Sequence, residues 1–381
     1  MTPSTPTQAR WAVASTFLLH GILVGAWVPH IPLAKERLDV GPGVFGLALL
    51  AFAGGAVCAM PVAGALINRF GSAALTTITG ILFCLTFLGP ILAPSLATFI
   101  VAGFFMGMTI GSMDVSMNAH GIAVEKALKR PTMSMLHAGF SIGGTIGAFL
   151  GAALLDAYGE LAQALIIALL CVAIQLISAR FYLEADVDKG LSGSHFARPT
   201  RATIGLGLLC FLALMVEGSI LDWAAIMMRQ KFQIDAGFAA LGFGFYQAGM
   251  AAARLTGDWI RLRVGAVRMV FWSAVLAAGG TALALSAPSP YLAITAFVFA
   301  GLGLGNIAPV LFAGGGRLEP DAPGRGIAAV TTLGYSGFLL GPPLIGFAAQ
   351  VTDVNTALYI TVIAALIIAI FARSVRAADT Y

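Results

Sequence analysis

Charge is what this sequence has least of. Only 10% of its 381 residues are Asp, Glu, Lys or Arg, against about 25% in a soluble domain, which excludes a chain that folds in water. Cysteine is scarce as well. Cys58, Cys84, Cys171 and Cys210 all fall in apolar runs, without CxxC pairing or a His at metal-ligand spacing, so no metal site is expected and the four read as inert packing residues. No HExxH, GxSxG or paired metal ligands accompany the apolar segments, and the chain is not expected to be an enzyme. Basic residues never gather into a groove-sized patch, so the net charge of +4 does not point to nucleic acid.

What is present is apolar surface: 59% of the residues are hydrophobic, and the 46 glycines lie within apolar runs rather than in Ser/Pro tracts. That pattern excludes disorder and suits a bundle of membrane helices. Apolar segments fall at roughly 11 to 33, 43 to 67, 73 to 93, 96 to 120, 133 to 155 and 162 to 182. A second set runs over 203 to 227, 237 to 259, 267 to 287, 290 to 314, 326 to 350 and 356 to 372. Twelve spans of ~20 residues use ~240, which leaves roughly 140 for connections and no separate soluble domain. The stretch from Trp11 is too long for a signal-peptide core and reads as the first span. The predicted class is all-α integral membrane.

The longest polar stretch, Arg180 to Arg201, separates the segments six and six. It predicts an N-terminal half over 1–182, a cytoplasmic linker over 183–202 and a C-terminal half over 203–381. With the N-terminus placed inside, 17 of the 21 Lys and Arg fall on cytoplasmic segments and four, Lys35, Arg37, Arg229 and Lys231, outside. This bias places both termini in the cytoplasm. The halves also repeat. Arg69-Phe70-Gly71 falls on Arg263-Val264-Gly265, Gly55 on Gly249, and Gly107 and Gly111 on Gly301 and Gly305, all 194 positions apart; Gly139-Phe140-Ser141 falls on Gly334-Tyr335-Ser336 at 195. Six crossings being even, the two copies are predicted parallel about an axis normal to the bilayer, as in transporters with a midplane site between halves.

Acids near the bilayer centre cost at least ~2.5 to 3.5 kcal/mol and need a cavity, a partner or a proton. Asp114 and Glu217 stand deep in the fourth and seventh segments, with Asp222 nearer the outer end. Asp114 and Asn118 share a helix face, one turn apart. Either Asp114 and Glu217 bind and release protons, or each is fixed by a neighbouring helix, Asp114 by Arg130 for instance. His20, His30 and His137 can bond a solute, relay a proton or simply be satisfied by a neighbouring helix; His120 and His195 read as solvated at the cytoplasmic side. Trp27, Ser141, Trp223, Tyr246, Gln247, Asn306 and Tyr335 complete a candidate lining, since rings cover C–H surface and polar groups bond hydroxyls; the alternative for the rings is interfacial anchoring. At the helix ends Asn68, Arg69, Asp258, Arg261 and Arg263 form either a cytoplasmic charge lock or a plain positive-inside turn.

These features together resemble the major facilitator superfamily over essentially the whole chain. Gly64 to Gly71 looks like a degenerate form of its Gly-x3-Asp-Arg-x-Gly loop motif, with Asn68 where an acid is usual and Ser72 where basic residues follow. Asp114-x3-Asn118, Arg130 and the run from His137 to Gly144 are similar to the fucose-permease-like branch. That resemblance implies a transporter working by alternating access about a central cavity, with symport of a small polar, sugar-like solute and protons as the coupling ion. No cofactor is implied; the partners are the solute and the lipid bilayer of the inner membrane, around a monomer. The branch's acid late in the first helix is missing between Trp27 and His30, a role that passes to Glu217. Proton-coupled efflux is the nearest alternative, and the fifth segment, Gly139 to Gly147, lacks the proline of antiporters; Gly341-Pro342-Pro343 stands in the eleventh instead. A receptor that kept the fold without transport is the alternative from another class.

Overall fold

The computed structural model describes residues 4–184 and 197–379. Residues 185–196, most of the predicted linker over 183–202 together with His195, lie outside the described residues. Among the described residues fifteen α-helices follow one another: α1 Pro6–Trp27, α2 His30–Leu38, α3 Pro42–Phe70, α4 Ser72–Thr86, α5 Leu88–Leu92, α6 Leu96–Leu128, α7 Met133–Ala179, α8 Ile204–Phe232, α9 Ala236–Val264, α10 Ala266–Ser286, α11 Pro290–Leu304, α12 Ile307–Leu318, α13 Pro323–Val351, α14 Val354–Ala357 and α15 Tyr359–Ile370. A 3-10 helix, Ala372–Asp379, follows. Among the described residues there is no strand.

Each of the twelve predicted segments is helical. Among the described residues nine helices are long and apolar enough to cross a membrane, or ten if Val354–Ile370 and the bent 3-10 helix form one span. Two causes take twelve to ten. The fifth and sixth segments run together as α7, broken only at Gly159, whose φ of 80° is open to glycine. The eighth, α9, is free of charge up to Arg254, but its glycines together with Tyr246 and Gln247 leave that stretch less apolar than the other spans.

The chain divides into two compact units, Met1–Asp39 with Ala51–Ser192, and Val40–Leu50 with Gly193–Tyr381. In the first, α1 lies along α7 so closely that a Cβ on Gly21 would strike the Phe140 carbonyl and one on Gly143 the Leu18 carbonyl. Small residues let helix backbones meet in this way where lipid supplies no hydrophobic drive between helices. In the second unit α8 packs on α13, and α9 and α10 pack on α11.

The repeat is built into these contacts. A Cβ on Gly55 would strike the carbonyl of Phe104, and one on Gly249 that of Val298; Gly107 abuts the Phe52 carbonyl, and Gly301 that of Tyr246. All four pairs keep the offset of 194. The turn glycines Gly71 and Gly265 have φ of 84° and 82°, and their N–H groups donate to Ile67 and Arg261. Asp39 and Gln233 end α2 and α8 in the left-handed region at φ of 49° and 55°. Ser95 and Ser289 accept at the N-termini of α6 and α11. The pairing of Gly139 with Gly334 at 195 is not kept: a Cβ on Gly139 would meet the Ala14 carbonyl at 3.5 Å, whereas one on Gly334 would strike the Cys210 thiol.

Two expectations are corrected here. Cys58 is exposed on α3 rather than packed, while Cys84, Cys171 and Cys210 are buried. His120 is fully buried: its Nδ1 lies 2.7 Å from Ser72 Oγ and its Nε2 accepts the Leu183 N–H at 3.2 Å. The chain after α7 folds back over it, which periodicity does not reveal.

Candidate functional site

Asp114 lies mid-way along α6, half-buried. The Asn118 side-chain amide, one turn on, donates to Asp114 Oδ1 at 3.1 Å and to the Asp114 carbonyl at 2.8 Å. The spacing of four residues thus yields a bonded acid and amide on one face. On α1 in the same unit, His20 is buried and wedged edge-on between Phe83 and Phe140 at 5.3 and 5.5 Å. Its Nδ1 has no partner among the described residues. A buried polar atom left unsatisfied costs about 1 to 3 kcal/mol, so this nitrogen is a place where a ligand or water gains a bond. His137 sits half-buried on α7, edge-on to Phe17 at 5.3 Å, and Ser141 is buried one turn on.

Trp27 closes α1, 5% exposed. Its ring stacks on His30 at 6.2 Å and 22° and touches Phe52 and Phe99. Around His30 the structure gathers residues that spacing does not announce. Its Nε2 lies 2.7 Å from Gln163 Oε1 and its Nδ1 3.3 Å from Glu160 Oε2; Arg37 donates to the same Oε2 at 3.1 Å. Glu160 follows the Gly159 break, in the turn between the fifth and sixth predicted spans. The hydrogen bond from His30, with the charges of His30 and Arg37, holds its carboxyl below the usual carboxylate range against the opposing effect of burial.

In the second unit the candidate residues stand on α8, α9 and α13 and at the break between α11 and α12. Glu217 Oε1 stands 3.7 Å from Arg254 Nη2, with side chains 17% and 12% exposed. This corrects the charge count: Arg254, placed by it among the cytoplasmic basic residues, lies within the eighth segment against an acid. A cation inside an apolar segment was the signal, and an opposite charge on a neighbouring segment the partner to look for. Tyr246 and Trp223 are fully buried and Gln247 nearly so; the Tyr246 hydroxyl, Trp223 Nε1 and Gln247 Oε1 have no partner among the described residues. Trp223 also meets Phe45 edge-on at 6.2 Å. Asp222 is half-buried beside it on α8. Tyr335, half-buried on α13, stacks on Phe338 at 6.4 Å. Asn306 stands at the break between α11 and α12, where its amide donates to the Ala253 carbonyl at 2.7 Å; the bond fixes α9 against that break.

Asn68 and Arg69 are exposed at the end of α3, with Arg69 over the Phe70 ring at 5.1 Å. Asp258 is exposed on α9, and Arg263 covers Trp259 at 3.8 Å. Arg261 donates to the Ala378 carbonyl at 2.6 Å, which Arg317 also reaches, so Arg261 ties down the 3-10 helix. Among the described residues no group of three or more His, Cys, Asp or Glu is placed to hold a metal ion.

The sequence model of the Major Facilitator Superfamily matches residues 13–210 and 206–380. A Yersinia pestis protein described as an uncharacterized MFS-type transporter is 32% identical over 359 residues, 94% of each chain. Membrane protein MosC of Rhizobium meliloti is 28% identical over 367 residues, 94% of this chain and 88% of its own. Among solved structures, the nucleoside transporter NupG gives a TM-score of 0.74 at 15% identity, over 96% of this chain and 98% of that one. The Escherichia coli fucose:proton symporter FucP gives 0.64 at 17%, over 96% and 97%. At such identities these two likenesses speak for the fold alone.

Proposed function

Since the chain belongs to the major facilitator superfamily and is a multi-pass membrane transporter, we propose that it moves a small polar, sugar-like solute by alternating access in symport with a proton. The observation that carries this is the Asp114 carboxyl on α6, bonded by Asn118 in an otherwise apolar stretch. A carboxylate there is costly and a protonated one cheap. Protonated Asp114 then permits the loaded carrier to reorient, and deprotonation at the cytoplasmic side releases the solute. Glu217 is the second proton-coupling candidate. His20, Trp27, Asn118, His137 and Ser141 in one unit, and Asp222, Trp223, Tyr246, Gln247, Asn306 and Tyr335 in the other, offer rings and hydrogen-bonding groups for the solute. Residues Asn68, Arg69, Asp258, Arg261 and Arg263 act at the cytoplasmic gate, in an inner-membrane monomer with both termini inside.

The test is proton movement in proteoliposomes that enclose a pH dye, challenged with pools of sugars, polyols and small organic acids. Wild type and Asp114→Asn are run side by side. The expected result is that one pool acidifies the wild-type lumen and leaves the variant silent. Acidification by the variant at the wild-type rate removes Asp114 from the coupling. Silence of the folded wild type with every pool, joined to resistance against unrelated toxic compounds on expression, replaces symport with efflux.

A further inference from the structure

His30 is fully buried at the start of α2, and the hydrogens around it can be counted. Gln163 Nε2 donates to the Ala26 carbonyl at 3.1 Å, which fixes the amide: turned over, its oxygen would face that carbonyl. Gln163 Oε1 therefore faces His30 Nε2 as an acceptor at 2.7 Å, and Nε2 carries a hydrogen. In a neutral ring Nδ1 would then be bare, and it lies 3.3 Å from Glu160 Oε2. Two bare acceptors at that distance repel, so one proton belongs between them. Glu160 already accepts from Arg37 Nη1 at 3.1 Å, which favours the carboxylate and puts the proton on Nδ1.

We propose that His30 and Glu160 form a proton-binding site apart from Asp114, in which one proton between Nδ1 and Oε2 ties the start of α2 to the turn at Gly159. The charged groups at the ring are Glu160, from α7, and behind it Arg37, from α2. Gln163 of α7, Trp27 of α1 and Phe87, between α4 and α5, face it as neutral groups. Arg37 is anchored independently, to the Pro90 and Ala93 carbonyls at 3.1 and 3.2 Å. It therefore keeps hold of Glu160 when the proton leaves, and the tie that opens is the one beneath Trp27. Trp27 stacks on this ring, and a protonated ring is the better partner for an indole face. Proton occupancy at His30 thus reaches a residue of the candidate solute lining; that last step rests on the transport reading.

The experiment is a double-mutant cycle on the full-length protein in detergent: thermal midpoints of wild type, His30→Gln, Glu160→Gln and the double variant, at pH 6 and pH 9. At pH 6 the two substitutions are expected to be non-additive by about 2 °C or more, and at pH 9, with the shared proton removed, additive. Equal non-additivity at both pH values, or none at pH 6, overturns the site. A second measurement reads the ring of the wild-type protein directly. In ¹⁵N-histidine spectra of wild-type proteoliposomes, with His30 identified by its loss in His30→Gln, both ring nitrogens should be protonated at pH 6 and one at pH 9. A neutral ring at pH 6 overturns the assignment. Neither measurement needs a solute, so their failure leaves proton symport standing, and the failure of symport leaves them decisive.

Discussion

Glu217 and Arg254 face each other across α8 and α9 at 3.7 Å, too far for a hydrogen bond and close enough to cancel charge. Breaking a buried pair by removing one partner leaves an uncompensated charge and costs about 3 to 5 kcal/mol, whereas removing both costs far less. Arg254→Gln should therefore destabilise the protein more than the double variant Glu217→Gln/Arg254→Gln does. Thermal unfolding in detergent checks this; a double variant at least as unstable as Arg254→Gln would show that the pair is not a unit.

Asp114 and Asn118 make a second unit, of acid and amide. Asp114→Asn keeps the shape and removes the titratable proton, so the folded, inserted variant is expected to lose proton-coupled uptake by at least about tenfold, equivalent to ~1.4 kcal/mol. Asn118→Ala keeps the acid and removes its donor. It should leave uptake measurable but shift its pH profile, because the acid loses the amide that donates to its Oδ1. Uptake against pH for the two variants separates carrier from donor, and an unmoved profile in Asn118→Ala would deny Asn118 that part.

His120 holds three pieces of the first unit together. The Leu183 N–H donates to Nε2, so the hydrogen of the neutral ring sits on Nδ1 and is donated to Ser72 Oγ. His120→Phe fills the same space without either bond and strands a buried N–H, at a cost of about 1 to 3 kcal/mol. The thermal midpoint should fall accordingly, and amide exchange at Leu183 should quicken. An unchanged exchange rate at Leu183 would show that the bond does not hold that segment.

How far the sequence could be read depended on the range of the interaction. The twelve segments follow from apolar runs of about 20 residues and the face shared by Asp114 and Asn118 from a spacing of four, and the structure makes every segment helical and bonds that pair. His120 could not be read, because its partners stand 48 and 63 residues away. Arg254 was miscounted for a different reason: a charge tally by loops cannot see a cation that its helix carries inward to an acid. Asn306 looked like lining because an amide amid apolar residues suggests a ligand, yet its described bond goes to the Ala253 backbone. Repetition sorts the two kinds of residue. Glycines, turns and caps recur 194 positions on, whereas Asp114, Glu217, Arg254 and His30 have Ala308, Leu23, Met60 and Ala224 at the equivalent places. What recurs builds the unit, and what does not recur distinguishes the chemistry of the two.

The repeat makes a prediction of its own. Gly107 presses on the Phe52 carbonyl and Gly301 on that of Tyr246, while Gly54 on α3 and Gly279 on α10 have nothing within 4 Å of where a Cβ would stand. Alanine at Gly107 or Gly301 must push two helix backbones apart, since a carbonyl cannot swing away as a side-chain end can. Each should cost about 1 to 3 kcal/mol, and the two costs should be similar because the contact is the same one twice. Alanine at Gly54 or Gly279 meets no such obstacle and gains up to about 1 kcal/mol in helix propensity. Thermal midpoints of the four variants give the comparison. A Gly107→Ala midpoint equal to that of Gly54→Ala would mean that this close approach does not hold the first unit together, and different losses at Gly107 and Gly301 would mean that the repeated geometry is not repeated in energy.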